Sequence, residues 1–321
     1  MTKTDELSTD YDAVVIGGGA AGLSGALILG RSRRSVAVID AGAPRNAPAD
    51  GIHGLLGYDG MPPIEYLRRG TADVLRYGGT VTSGEVAEIT RNDTGFAITL
   101  ADGRVTRARR ILLATGLVDE LPDVEGLAER WGRDLVHCPY CHGWEARDQA
   151  IAVLATGPMA FHTTLLWRQL SDRVVLLRNG IDFPAEQLAQ LAARGVRITE
   201  GRPQSVAITD DAVTGVAMAD GRVVPCEVIA VGTHMVARGG EIFSSLGLTL
   251  TEHPSGMGVY LATDPAGRTD APGVWAAGNI TDLSAQVGAA AAAGAMAGAQ
   301  INADLAMEEA AEAVGTQAKA G

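Results

Sequence analysis

YDAVVIGGGAAGLSGALILGRSRRSVAVID, residues 11–40, decides the fold. The apolar run 13–16 reads as a buried strand, a helix begins near Ala20, and SVAVID reads as a second buried strand ending at Asp40. Strand, turn, helix and strand in that order open a βαβ unit. Gly17-x-Gly19-x-x-Gly22 sits between strand and helix, where a dinucleotide-binding turn must sit. Gly17 permits the tight turn, Gly19 lets the backbone approach a pyrophosphate, and Gly22 lets helix and strand pack closely. Ala20 and Ala21 open the helix, whose N–H groups and dipole favour phosphate. Asp40 is placed to accept hydrogen bonds from ribose hydroxyls. The glycine pattern alone is a weak signal; both flanking strands and the acid at the right distance give it weight.

The rest of the chain bounds the reading. Its 321 residues suffice for two domains, and 46% apolar composition with 41 glycines suits an α/β protein with many tight turns. A net charge of −12 argues against nucleic acid and anionic membranes as partners. No stretch is long and apolar enough to span a bilayer, and MTKTDELSTDYD lacks the apolar centre of a signal peptide, so a cytoplasmic protein is expected. Three cysteines do not make a disulfide scaffold.

Two later stretches favour a flavin, FAD, at the first site. RRILLATG (109–116) reads as a strand closing on the small-residue turn Ala114, Thr115 and Gly116. GVWAAGNITD (273–282) reads as a strand and a loop with Gly278, Asn279 and Asp282. An Ala/Gly-rich helix follows, with Gln286 and Val287 at its start. A helix N-terminus there would stabilise negative charge on a reduced ring. ADGRVTRARR and ADGRVVPCE each place a D-G turn between apolar runs and read as hairpins in two similar halves. A second strand–turn–helix, IAVLATGPMAFHTTLLWRQL (151–170), precedes the strand RVVLLRNG. Its fingerprint is damaged. Ala155 replaces the first glycine, Pro158 removes an N–H, and Arg178 stands without the arginine cluster that would hold a 2′-phosphate. A degenerate NADPH site is expected.

HCPYCHGWE, residues 137–145, carries the chemistry. Zinc is disfavoured, because Cys226 stands alone in an apparent strand and the two histidines lie too close to the pair to complete a tetrahedron. No metal is expected, and Cys226 reads as a small buried apolar residue. In a flavin protein C-x-x-C reads as a redox disulfide. Cys141, nearer a following helix, is expected to face the flavin, and Cys138 to exchange with an incoming thiol. His142 can take a thiol proton near neutral pH. Pro139 and Tyr140 shape the loop, and the role of His137 stays open.

GGGAAG, ILLATG, CPYCHG and GVWAAGNITD together resemble the low-molecular-weight thioredoxin reductases, from Tyr11 to about Asn302. The resemblance implies a homodimeric, α/β flavoprotein of two Rossmann-like (doubly wound, three-layer) nucleotide-binding domains. It divides the chain into a discontinuous FAD-binding domain (11–118 and 242–310) and a pyridine-nucleotide-like domain carrying the C-x-x-C (119–241). By composition, residues 1–10 read as a disordered leader, and the Ala/Glu-rich stretch from about 303 reads as a helix end that becomes a disordered tail (311–321). The departures are informative. His142 stands where those reductases carry an acid, and Asn279 replaces an Asp. GIHGLLGYDG (51–60) and C-P-Y-C-H-G are similar to the dithiol oxidase branch, of the gliotoxin and holomycin type. That branch implies electron flow from a small-molecule dithiol to the Cys138–Cys141 disulfide, to FAD, and to O2, giving hydrogen peroxide. It places His53 and Asp59 near the pocket, with His137 a further pocket candidate. Two alternatives stay open: a thioredoxin-type disulfide reductase fed by NADPH or ferredoxin, and a protein that sequesters a reactive thiol for self-protection. Ferredoxins are acidic, so so acidic an acceptor is a poor match unless its charge is segregated.

Overall fold

The computed structural model describes residues 7–320. The chain opens with β1 (Asp10–Ile16), α1 (Ala20–Arg31), β2 (Val36–Asp40), α2 (Pro63–Arg76) and β3 (Thr80–Ser83). A meander follows: β4 (Val86–Asn92), β5 (Gly95–Leu100) and β6 (Val105–Leu113). β7 (Leu117–Glu120) leads into the second half, which holds β8 (Leu135–Val136), α3 (Pro139–His142), β9 (Ile151–Leu154), α4 (Ala160–Trp167), β10 (Val174–Leu177), α5 (Ala185–Ala193) and β11 (Arg197–Thr199). A ribbon of β12 (Pro203–Thr209), β13 (Ala212–Met218) and β14 (Val223–Pro225) precedes β15 (Val228–Val231). β16 (His234–Ala237) leads back to α6 (Gly240–Ser245), β17 (Leu250–Glu252), β18 (Gly258–Leu261), β19 (Val274–Ala276) and α7 (Val287–Ala320).

The first sheet has seven strands, in the order β3-β2-β1-β6-β5-β4, with β19 also paired to β6. β1, β2, β3, β6 and β19 run parallel, and β4–β5–β6 is antiparallel. The second sheet, β11-β10-β9-β15-β8, is parallel throughout. Such strands are covered on both faces and read as unbroken apolar runs; Ile151–Leu154 and Val174–Leu177 are buried at every position. Both D-G stretches form the expected hairpins, β5–β6 and β13–β14. The outgoing β7 and returning β16 pair antiparallel within a third sheet, β17-β18-β16-β7. The boundaries expected at 118/119 and 241/242 therefore fall inside β7 and α6.

Two expectations at the chain ends change. Residues 1–6 of the expected leader lie outside the described residues, but residues 7–10 are ordered. Leu7 packs against the core, the Ser8 N–H donates to the Tyr11 hydroxyl at 2.9 Å, and the Thr9 carbonyl accepts from the Arg107 N–H. The expected tail continues as helix to Ala320. Ala and Glu favour helix intrinsically, and Arg34, Arg109 and Arg110 grip Asp304, Glu308 and Glu309 on α7.

α7 lies against α1 at backbone contact. A Cβ on Gly294 would stand 1.9 Å from the Ala21 carbonyl oxygen, and one on Gly298 would stand 2.5 Å from that of Gly25. The clash is with backbone, so the helices must part to relieve it. Gly294→Ala is expected to cost about 1–3 kcal/mol, the range for overpacking a filled core. A denaturant midpoint equal to that of the unaltered protein would contradict this packing.

Candidate active site

Three parallel strands of the first sheet end together. Gly17 follows β1, Ala114 follows β6 and Ala277 follows β19. The strand order reverses direction between β1 and β6, where the crevice of an open α/β sheet forms. Gly17 has φ +108°, and a Cβ there would stand 2.3 Å from the Ala114 carbonyl oxygen, so only glycine makes this turn. A cavity of about 540 Å³ opens at these strand ends.

The expected residues gather there element by element. Gly17, Gly19, Ala20 and Ala21 line the cavity from the β1–α1 turn, and Asp40 lines it from the end of β2. Ala114, Thr115 and Gly116 line it after β6; Gly278, Asn279, Gln286 and Val287 line it around the start of α7. Two of the expected residues act from outside the cavity lining. Gly22 and Asp282 do not line the cavity. A Cβ on Gly22 would meet the Gly17 carbonyl oxygen at 1.9 Å, so this glycine serves packing. Asp282 Oδ1 accepts from the Ser284 N–H and hydroxyl, bracing the approach to α7. Asn279 Nδ2 donates to the Ala285 carbonyl at 2.9 Å and holds the same turn.

The residues fit a dinucleotide by three local features. Gly19 is the N-cap of α1 and supplies no side-chain cap, so first-turn N–H groups remain for an anion. Space is open where a Cβ on Gly19 would stand. The Gly18 N–H donates to Asp40 Oδ1 at 3.1 Å, fixing the carboxylate at the cavity edge.

The second half supplies the opposite wall: His137, Cys138, Cys141 and His142, with His53 facing them from the first half. Cys138 and Cys141 form a disulfide with Cα atoms 5.2 Å apart. One expectation about the pair is corrected. The short helix α3 starts at Pro139, so Cys138 is its N-cap and Cys141 lies within it. The Cys138 carbonyl accepts from the N–H groups of Cys141 and His142, both at 3.1 Å. Cys226 is buried and free, its thiol pushed up to about 12 by burial.

Both histidines beside the disulfide favour the neutral form. Burial lowers the pKa of His142; Glu145 and Asp50 oppose that effect, while His53 and His137 reinforce it. Both ring nitrogens of His142 are buried without a hydrogen-bond partner. Burial likewise lowers His137, reinforced by Arg45 and opposed by Asp119. His137 Nδ1 lies 3.1 Å from the Val231 carbonyl, an acceptor, so that nitrogen carries the hydrogen.

Sequence reasoning missed the groups that hold the two walls together. Arg45, after β2, donates from Nε and Nη2 to both oxygens of Asp119 on β7, at 2.6 and 2.7 Å. The Thr233 hydroxyl, before β16, donates to the same carboxylate at 2.6 Å. The Asp119 side chain is only 5% exposed. A Cβ on Gly132 would meet Pro48 at 2.5 Å, so the walls also touch there. Trp131 and Arg238 line the cavity as well. Gly18 was visible in the glycine run; the others carry no local signal, because each acts across a long stretch of chain.

Burial raises the Asp119 pKa, but Arg45 and Thr233 outweigh it and leave the group below the ordinary carboxylate value. Such a group adds stability above its unfolded pKa and loses it as pH falls through the folded one. Arg45→Met would leave a buried, nearly unpaired carboxylate at neutral pH, a loss of about 3–5 kcal/mol. The deficit should narrow in acid as Asp119 takes up a proton. Denaturant unfolding of both proteins from neutral pH down to about pH 4 checks this, and a pH-independent deficit would exclude the ion pair as its cause.

The chain matches the model of the pyridine nucleotide-disulphide oxidoreductase family over residues 11–298. It is 32% identical over 287 residues to thioredoxin reductase sirT of Leptosphaeria maculans, covering 84% of this chain and 86% of that protein. It is 33% identical over 285 residues to thioredoxin reductase tcpT of Claviceps purpurea, covering 85% and 87%. Among solved structures, the crystal structure of HlmI superposes with a TM-score of 0.90 at 41% identity, covering 98% of each chain.

Proposed function

This chain belongs to the pyridine nucleotide-disulphide oxidoreductase family, and we propose that within it the protein is an FAD-dependent dithiol oxidase. Its substrate is a small-molecule dithiol that leaves as an intramolecular disulfide, its terminal acceptor is O2, and its second product is hydrogen peroxide. A homodimer is part of the proposal, on the thioredoxin reductase resemblance. The observation that carries it is the shared cavity: the Cys138–Cys141 disulfide and the partnerless His142 line the same space as the dinucleotide turn.

FAD is the cofactor of this thioredoxin reductase-like family, and when bound it supplies the two-electron carrier between the cysteine pair and oxygen. The β1–α1 turn would hold its pyrophosphate and Asp40 its ribose. His142, neutral because it is buried, accepts a proton from a substrate thiol. The thiolate attacks Cys138, and Cys141 leaves as a thiolate. The second substrate thiolate then displaces Cys138 and closes the ring.

The corresponding crevice of the second half supports oxygen over NADPH. The Thr156 hydroxyl donates to the Gly232 carbonyl at 2.8 Å, spanning the ends of β9 and β15. Asn179 Nδ2 donates to the Ala155 carbonyl at 3.1 Å, and Arg178 is engaged by Asp182 and Glu200. A 2′-phosphate would have to displace both carboxylates.

Anaerobic titration of the purified protein tests the reading. A cyclising dithiol should bleach the flavin absorbance, NADPH should not, and air should restore the colour with peroxide released. Rapid bleaching by NADPH would instead identify a reductase. Cys138→Ser and Cys141→Ser should each abolish turnover and retain FAD; wild-type turnover in either would refute the disulfide relay. His142→Ala should slow the thiol-dependent step by roughly 10²-fold or more and move its rise toward the thiol's own pKa, about 8.5. An unchanged pH profile would remove His142 from the chemistry.

A further inference from the structure

Closing a disulfide from a dithiol sets two protons free beside a base that can hold one. His142 must therefore discharge between the two thiols, yet neither of its ring nitrogens touches a group that could take the proton. The groups that could do so lie just beyond it. Glu145, one turn further along the chain, exerts the largest electrostatic pull on His142. The same carboxylate stands 3.6 Å from Nε2 of His53, which lines the cavity from the opposite wall. Nδ1 of His53 stands 3.5 Å from Asp59 Oδ1, and Asp59 is steadied by the Gly54 N–H at 2.9 Å. The His53 side chain is 23% exposed, against 68% for Asp59. Glu145 is 48% exposed, so from the buried nitrogens of His142 the groups that can carry a proton reach solvent at Glu145 and again, past the less exposed His53, at Asp59.

The loop that presents His53 is built to hold it. The Ile52 N–H donates to the Met61 carbonyl and the Gly60 N–H to the Ile52 carbonyl, both at 2.8 Å, so residues 52–61 close on themselves. Ile52 is buried and anchors the base of the loop. An imidazole with a carboxylate at each nitrogen can take a proton on one side and release one on the other.

We propose that Glu145 and His53, with Asp59 orienting His53, form the proton exit that discharges His142 to solvent during thiol–disulfide exchange. This rests on the dithiol chemistry proposed above. The first substrate thiol gives its proton to His142, its sulfur bonds to Cys138, and the Cys138–Cys141 bond breaks with its electron pair on Cys141. Glu145 and His53 carry that proton outward. The second thiol then gives its proton to the emptied His142. Its sulfur bonds to the first substrate sulfur, and Cys138 leaves with the electron pair. The dithiol loses two electrons and two protons, the cysteine pair gains the two electrons, and both protons reach solvent.

The test is single-turnover oxidation of dithiothreitol by the holoenzyme without oxygen, read as oxidised dithiothreitol formed per chain. His53→Gln keeps an amide able to bridge Asp59 and Glu145 but cannot relay a proton; Glu145→Gln does the same from the other side. Each should slow the exchange by about tenfold, less than the ~10²–10⁴ supplied by a direct acid–base partner. His53→Ala should be equally slow and should recover with added imidazole. The pH profile should change in each variant, since Asp50, Asp59, Glu145, His137 and His142 are the titrating groups around this path. His53→Gln at the wild-type rate, or a slow His53→Ala that imidazole does not restore, overturns the relay. The exchange is read before oxygen is admitted. An enzyme that completes it and then yields no peroxide refutes the oxidase reading and leaves the relay result standing.

Discussion

The carboxylate of Asp119 is the point on which the site hangs. It sits on the strand leaving the first half, accepts two hydrogen bonds from Arg45 after β2, and accepts a third from Thr233 before the returning strand. A buried charge survives only when its oxygens are satisfied, so these partners are obligatory for one another. One carboxylate thereby joins the loop that borders the dinucleotide crevice to both crossings of the chain. The cysteine pair inherits its place from this junction, because β8 pairs with β15 and leads directly into His137 and Cys138.

Around that junction the site is kept poor in charge on one side and rich in it on the other. His137 and His142 are buried enough to favour neutral imidazole, which suits a base that must be empty when a thiol arrives. Carboxylates gather at the exit, where Glu145 and Asp59 meet water. On the proposed relay, those carboxylates give protons a direction. The proposed proton path, toward the surface beyond α3, is then separate from the proposed electron path across the cavity toward the β1–α1 turn.

How much of this was legible follows from how local each signal is. The β1–α1–β2 start, Asp40, the two hairpins and the interior strands are written in runs of adjacent residues, and periodicity reads them. The start of α3 was legible too, and was misplaced: Pro139 directly after Cys138 favours the first helical position, which makes Cys138 the cap. Asp282 shares its segment with residues that do line the cavity, and only the fold turns its carboxylate to Ser284. Arg45, Asp119 and Thr233 left no trace, since a charge pair separated by 74 residues has no period and no spacing rule. The ends of the chain misled by composition. Polar and Ala/Glu-rich stretches read as disordered, yet Leu7 finds a core and α7 finds Arg34, between α1 and β2, and the arginines of β6.

The two halves share an architecture and differ at the same topological point, and the difference supports the proposed direction of electron flow. In the first half the crevice between β1 and β6 stays open, because Gly17 and Gly19 put nothing into it. In the second, the crevice between β9 and β15 is spanned by Thr156, and the neighbouring strand ends are tied by Asn179. A crevice closed by the protein's own hydrogen bonds binds a nucleotide only after breaking them, and each broken bond leaves a polar group to be satisfied again. On the proposed oxidase reading, electrons enter instead through the redox group on the cavity wall. That group is the Cys138–Cys141 disulfide, which in the proposed direction takes its two electrons from a dithiol and passes them toward the β1–α1 turn.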